Sequence, residues 1–168
     1  MSISVWCYTR ADDKWIKPVN LRGGFSPSFT KRGTMYYGGP TGIFRIVCKD
    51  GKYYEPEYMN DQINMPGYLN WTPFIAPDES YLIFSRHINK GDLFIAFHDT
   101  LADVWTKPID MGDRINTSGQ ERFPSISPDG KYMFFTRSDG NNQHDVYWVS
   151  SKIIENIKKE VLNSKVTK

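Results

Sequence analysis

Near its C-terminal end the chain reads "SISPDGKYMFFTR" (residues 125–137), and about fifty residues upstream "FIAPDESYLIFSR" (74–86) repeats it in register. Both stretches run from an aliphatic residue through Pro-Asp to Tyr and an apolar run that ends Phe-Ser/Thr-Arg. A third copy, "SFTKRGTMYYGG" (28–39), is one residue shorter and lacks the Pro-Asp. Pro-Asp-Gly between two apolar runs is turn chemistry. Pro presets φ, Asp bonds its own backbone two residues on, and Gly tolerates positive φ. Asp129 and Asp78 are therefore expected to form turns rather than to act as catalytic carboxylates. The third copy agrees, because Lys31-Arg32-Gly33 keeps only the turn-competent glycine.

A second element recurs between these copies: "WIKP" from Trp15, "YYEP" from Tyr53 and "WTKP" from Trp105. Short apolar runs separate the two kinds of element, "GIFRIVC" (42–48), "DLFIAF" (92–97) and "DVYWV" (145–149). The unit reads as four short strands. Strand a is "PFIA" or "PSIS", b is "YLIFS" or "YMFFT", c is "DLFIAF" or "DVYWV", and d follows the Trp-x-x-Pro. The runs are rich in aromatic and β-branched residues and bounded by Gly, Pro, Asp and Asn, which are strand signals. Four-stranded antiparallel sheets repeating at this period describe the blades of an all-β propeller.

These units resemble the TolB-type, WD-repeat-like propeller repeat of many bacterial proteins. The motifs that carry the resemblance are "SPDGKYMFFTR…DVYWV", "APDESYLIFSR…DLFIAF" and the Trp-x-x-Pro followed by "INTSGQERFPSISPDG", over roughly residues 2–150. The resemblance implies a propeller fold and a non-enzymatic binding module that presents a loop-lined face to a protein or a cell-envelope glycan. It implies a periplasmic or otherwise extracytoplasmic setting if this is part of a longer exported chain; no signal peptide is legible here, so a cytoplasmic setting is the alternative. Some propellers of this kind resemble oligogalacturonate lyases, which use channel-facing histidines and a metal. A carbohydrate-active hydrolase or lyase is thus the alternative function.

With 168 residues the chain has room for one domain with a sizeable core. A formal charge of +2 and dispersed Lys and Arg give no nucleic-acid stripe. No apolar run approaches the ~18 residues of a membrane span. Cys7 and Cys48 sit at similar places in related segments, and neighbouring sheets lie ~10 Å apart, so two buried free thiols are expected rather than a bridge.

Residues 3–24 are read as strands c and d, 25–69 and 70–120 as full units, and 121–150 as a, b and c only. That is about three blades over 1–150, too few to close a ring when known propellers have roughly four to eight. Either the chain is the C-terminal part of a longer propeller, or a homodimer completes one ring. In 151–168, Ile153, Ile154, Ile157, Val161 and Leu162 recur at helical spacing. An amphipathic helix over 151–163 with a frayed tail is expected, packed on the rim.

Ligands of propellers gather where the d–a and b–c loops meet. The d–a loops are expected to contribute Asn70, Trp71, Glu121 and Arg122. The b–c loops are expected to contribute Arg86, His87, Asn89 and Lys90 from one unit, and Arg137, Asp139, Asn141 and His144 from the next. Trp71, Arg86, His87, Glu121, Arg122, Arg137 and His144 are the candidate ligand-binding residues. The paired arginines, at equivalent positions, either grip carboxylates or sugars bidentately or pair with a local Asp or a loop carbonyl. "DGNNQHD" (139–145) lacks the glycine and distant glutamate of a calcium loop, and His87, His98 and His144 have no metal-ligand spacing. No cofactor is expected; a calcium ion or a transition metal shared by His87 and His144 is the alternative. His98, by the c–d turn on the opposite face, is expected to do nothing chemical. No catalytic residue is assigned, for want of a Gly-x-Ser-x-Gly or a phosphate loop. The N-glycosylation matches "NWT" (70–72) and "NTS" (116–118) are read as chance.

Overall fold

A computed structural model describes residues 4–8, 10–87, 90–141 and 143–166. The protein is mostly β, with one C-terminal helix at Lys152–Val166. Three antiparallel sheets follow one another along the chain. The first runs Phe25–Phe29, Met35–Gly39, Gly42–Ile46 and Glu57–Tyr58 in order across the sheet. The second runs Leu69–Ile75, Tyr81–His87 and Gly91–Asp99, whose outer side pairs with both Val104–Trp105 and Ile109–Asp110. The third has three strands, Gln120–Ile126, Tyr132–Ser138 and His144–Ser150. Ahead of them, Trp6–Cys7 pairs with Val19–Asn20. Strand d follows the proline of each "WIKP", "YYEP" or "WTKP" element, at Val19, Glu57 and Ile109, as the repeat predicts. This series of twisted sheets stacked face on face fits a propeller-like fold.

The turns are built as the local chemistry dictates. Asp129 Oδ1 accepts from Lys131 N at 3.1 Å and from Ser127 Oγ at 2.6 Å. Asp78 Oδ1 accepts from Ser80 N at 3.1 Å and from Ser80 Oγ at 2.6 Å. Gly130 and Gly33 adopt φ of 73° and 89°, which L-residues avoid.

The a strands differ from expectation. They do not start at the proline but run past it toward the N-terminus, and the proline sits in a bulge. Register shifts between Phe25 and Ser28, between Trp71 and Phe74, and between Arg122 and Ser125. A proline lacks the N–H that a regular ladder needs, and the bulge removes that demand. The residue before each proline, Ser26, Thr72 and Phe123, is left-handed, with φ of 51°, 46° and 52°. Three sheets thus repeat one strained step, and the three Pro bulges line a common cleft. Ser28 Oγ accepts from Ile75 N at 2.9 Å, and Thr72 Oγ1 accepts from Phe123 N at 3.3 Å. Each hydroxyl ties one a strand to the next.

The core lies between the sheets. Val5, Cys7 and Leu21 of the N-terminal hairpin pack on Met35, Tyr37 and Ile46 of the first sheet. Tyr36 and Ile43 on its other face meet Ile75, Leu82, Phe84 and Ala96 of the second. Ile83, Leu93, Ile95 and Phe97 on the second sheet's other face meet Met133 and Phe135 of the third. Each fully buried aliphatic side chain is worth about 1.5–3 kcal/mol, so these layers carry the fold. The helix buries Ile154 and Ile157 in this last cluster, with Ile153 against it. Its buried side is the one the helical spacing of these isoleucines marks, and it extends three residues beyond the expected end. No helix among the described residues is long and apolar enough to cross a membrane. Cys7 and Cys48 are free but half-buried rather than buried.

Candidate functional site

The site residues sit on strands, not in loops. Trp71 lies within Leu69–Ile75, Arg86 and His87 end Tyr81–His87, Glu121 and Arg122 begin Gln120–Ile126, and Arg137 and His144 lie at strand ends of the third sheet. The loop reading is corrected because the ladders run longer than the apolar runs: Asn70 pairs with Arg86 and Glu121 with Arg137 in regular register. Asn89 lies outside the described residues.

The two arginines are internal. Arg86 donates from Nε to Asn70 Oδ1 at 2.9 Å and from Nη2 to Ile63 O at 2.8 Å. Arg137 donates from Nε to Glu121 Oε1 at 2.8 Å and from Nη2 to Ile115 O at 2.8 Å. Arg86 is only 4% exposed and lies over the Phe94 ring at 4.8 Å and the Phe84 ring at 5.4 Å. Burial lowers its pKa, and the ring faces offset part of the cost of holding a cation there. Arg137 likewise lies 4.4 Å over Tyr147. Both guanidiniums are thus engaged inside the chain, each on a loop carbonyl and on a side chain of the facing strand, Asn70 for Arg86 and the Glu121 carboxylate for Arg137.

Each lock belongs to a repeated segment, Asp61-Gln62-Ile63-Asn64 and Asp113-Arg114-Ile115-Asn116, whose Asp-x-Ile-Asn identity in the sequence was available as a signal. Asn64 Oδ1 accepts from Ile43 N at 2.9 Å while its Nδ2 donates to Ile43 O at 2.8 Å. Asn116 does the same to Leu93, at 2.8 and 3.0 Å. The side-chain amide stands in for a neighbouring strand at the start of strand c. The asparagines of the "NWT" and "NTS" matches are held inside the chain: Asn70 is fully buried with its Oδ1 accepting from Arg86, and the Asn116 amide bonds Leu93 and Asp110.

Trp71, His87 and Arg122 come together across two sheets. The His87 ring is 4.7 Å from that of Trp71, and the Arg122 guanidinium is 6.0 Å from Trp71. Phe25 of the first sheet meets Trp71 edge-on at 5.9 Å. Burial, and then the Arg122 charge, push the His87 imidazole below its ordinary value, and burial also lowers Arg122. The imidazole is therefore neutral at pH 7. Arg122 Nη2 donates to Gln120 Oε1 at 2.6 Å. Three buried nitrogens here, Trp71 Nε1, His87 Nε2 and Arg122 Nε, have no hydrogen-bond partner among the described residues. Buried polar atoms in folded proteins almost always find a partner.

The remaining candidates do not join this cluster. Glu121, fully buried, accepts through Oε1 from Thr117 Oγ1 at 2.7 Å as well as from Arg137. His144 is exposed on the outermost strand of the third sheet, opposite Ser138. Asp139 Oδ1 caps the Asn141 N–H at 2.9 Å, and Lys90 Nζ donates to Thr117 O. Among the described residues no group of three or more His, Cys, Asp or Glu side chains is placed to hold a metal. His98 stacks on Trp105 at 4.2 Å with its rings 4° apart. Its Nε2 is 3.0 Å from Asp103 Oδ1, which also accepts from Arg45 Nη1 at 3.2 Å. The Arg45 bond holds the Asp103 carboxyl below its ordinary value. This network, absent from the expected site, pins the c–d turn.

No family model matches the chain, and no curated protein matches it. Among solved structures, the crystal structure of TolB from Acinetobacter baumannii matches with a TM-score of 0.49 and 20% identity, over 80% of this chain and 32% of that one. The chain thus spans about a third of that protein's length.

Proposed function

We propose that this chain is a non-enzymatic binding module of β-propeller type, whose sheet ends around Trp71, His87 and Arg122 take a carboxylate-bearing group of a protein or cell-envelope glycan. The observation that supports this reading is the set of three unpartnered nitrogens in one contact group. Trp71 Nε1 and Arg122 Nε can only donate, and a neutral His87 donates or accepts according to tautomer. Donors with a nearby guanidinium favour an anionic acceptor, through charge-assisted hydrogen bonds. The bacterial cell envelope is the setting that goes with this reading.

The test is a calorimetric titration of the chain with acidic oligosaccharides and acidic peptides, against neutral oligosaccharides as the control. Binding of an acidic probe that Arg122→Ala and Trp71→Ala both weaken at least tenfold supports the reading. Equal binding by Arg122→Ala, or no preference for acidic over neutral probes, overturns it.

A further inference from the structure

The three sheets use equivalent positions to meet the next sheet. Aligning the two best copies puts Ile83 with Phe134, Leu93 with Val146 and Ile95 with Trp148. In the second sheet all three are 0% exposed, packed toward the third sheet. In the third sheet Val146 is 69% and Trp148 62% exposed, Phe134 is only half-buried, and Tyr132 meets Trp148 edge-on at 5.1 Å on the same face. The register confirms a single face, since Phe134 pairs with Trp148 and Thr136 with Val146. The helix does not cover it, because Ile154 and Ile157 belong to the cluster on the opposite face, with Met133 and Phe135. A sheet-packing face of the same composition is therefore left open.

At the other end of the stack, Cys7 and Val5 point into the first sheet. Alternation along the strand turns Trp6 and Tyr8 the other way, and they are 54% and 56% exposed. Exposed aromatic faces of this kind mark interaction sites rather than ordinary surface.

We infer that the outer face of the third sheet, centred on Val146 and Trp148, docks the N-terminal hairpin face around Trp6 of a second copy of this chain. The occupant is argued from continuity. Hairpin on first sheet, first on second and second on third are one kind of interface made three times within the chain, and the two open faces are the front and back of that same series. One chain carries both halves of the missing contact, so a second copy supplies what each lacks, head to tail.

The experiment is light scattering on a sizing column across a concentration series, on the wild-type chain, Trp148→Lys and Trp6→Lys. Both side chains are exposed, so neither variant is expected to lose its fold; circular dichroism and the melting midpoint check this. The inference expects the wild type to double its mass and each variant to run at the mass of one chain. An equimolar mixture of the two variants, each with one intact face, should recover a two-chain complex. A wild type that stays monomeric at all concentrations overturns the inference. So does a Trp148→Lys chain that associates like the wild type. A Trp6→Lys chain that doubles its mass on its own, as face-to-face pairing of two third sheets would give, overturns the head-to-tail contact, and so does a mixture that stays monomeric.

Discussion

Arg137 and Glu121, directly opposite each other on adjacent strands of the third sheet, form a 2.8 Å ion pair in which the carboxylate is 0% exposed. In the second sheet the same two positions hold Arg86 and Asn70, a charged donor with a neutral acceptor. The geometry of the lock is conserved between the sheets while the charge balance is not. Its constant part is the Nη2 bond to the isoleucine carbonyl of the preceding segment.

Removing the carboxylate of the third-sheet pair should therefore be costly. Glu121→Ala leaves a half-buried guanidinium without its carboxylate, and Thr117 without its acceptor, for a loss of about 3 kcal/mol. In a chain of this size that lowers the melting midpoint by about 6–12 °C. Glu121→Gln keeps an acceptor, like Asn70 in the second sheet, and should cost less than half as much. Thermal unfolding of the two variants compares them; equal losses would mean that the charge, and not the hydrogen bond, matters.

The Asp-x-Ile-Asn amides are expected to matter as much as the arginines. Asn116→Ala leaves the Leu93 N–H without its acceptor, and Asn64→Ala does the same to the buried Ile43 N–H, while the two carbonyls keep the Met111 and Met59 N–H groups. Each should cost about 2 kcal/mol, the desolvation penalty of buried backbone groups left unmade. Denaturant midpoints check this. Hydrogen exchange should quicken first at the Leu93 and Ile43 amides.

The strained Pro bulges give a prediction of opposite sign. Phe123 is left-handed at φ 52° with its ring 54% exposed, so its side chain adds little packing. Phe123→Gly keeps the N–H that bonds Thr72 and relieves the strain, and should raise stability by about 1 kcal/mol. Thr72→Gly should destabilise instead, because the Thr72 hydroxyl bonds Ser85 and accepts from Phe123 N. Urea titrations of the two variants decide between relief of strain and loss of contact.

His87 makes stability depend on pH. Its pKa is lowered in the folded state, by burial first and then by Arg122, so the unfolded chain binds the extra proton more readily. The stabilisation is complete above the unfolded value of about 6.5, and it is lost as pH falls through the folded value. The urea midpoint of the wild type should drop between pH 7.5 and 5.5 more than that of His87→Gln, which has no such proton to bind. Equal drops would place the titration elsewhere.

The strand order and turns were legible because they depend on neighbours in the chain. Pro-Asp-Gly and Lys-Arg-Gly encode their own hairpin turns, and the proline of each "WIKP", "YYEP" or "WTKP" element marks the start of strand d. Trp71, His87 and Arg122 were legible only as residues near the ends of the a and b runs; their place on strands and their meeting across two sheets were not, because the ladders run beyond the apolar runs. The bulges at Ser26, Thr72 and Phe123 were not, because a proline reads as a strand boundary until its neighbours in the ladder are known.

The sequence by itself determined the repeat, the antiparallel strands and the amphipathic helix, all set by spacing and turn chemistry within a few residues. Only the tertiary structure decided that Arg86 and Arg137 spend their donors on Ile63 and Ile115. Those carbonyls come from a segment on the far side of the a strand, and no local pattern predicts which acceptor a guanidinium reaches. It also decided that Trp148 is open to solvent while the equivalent Ile95 is buried. Two residues at matching places in the repeat differ because one sheet has another stacked upon it and the other does not.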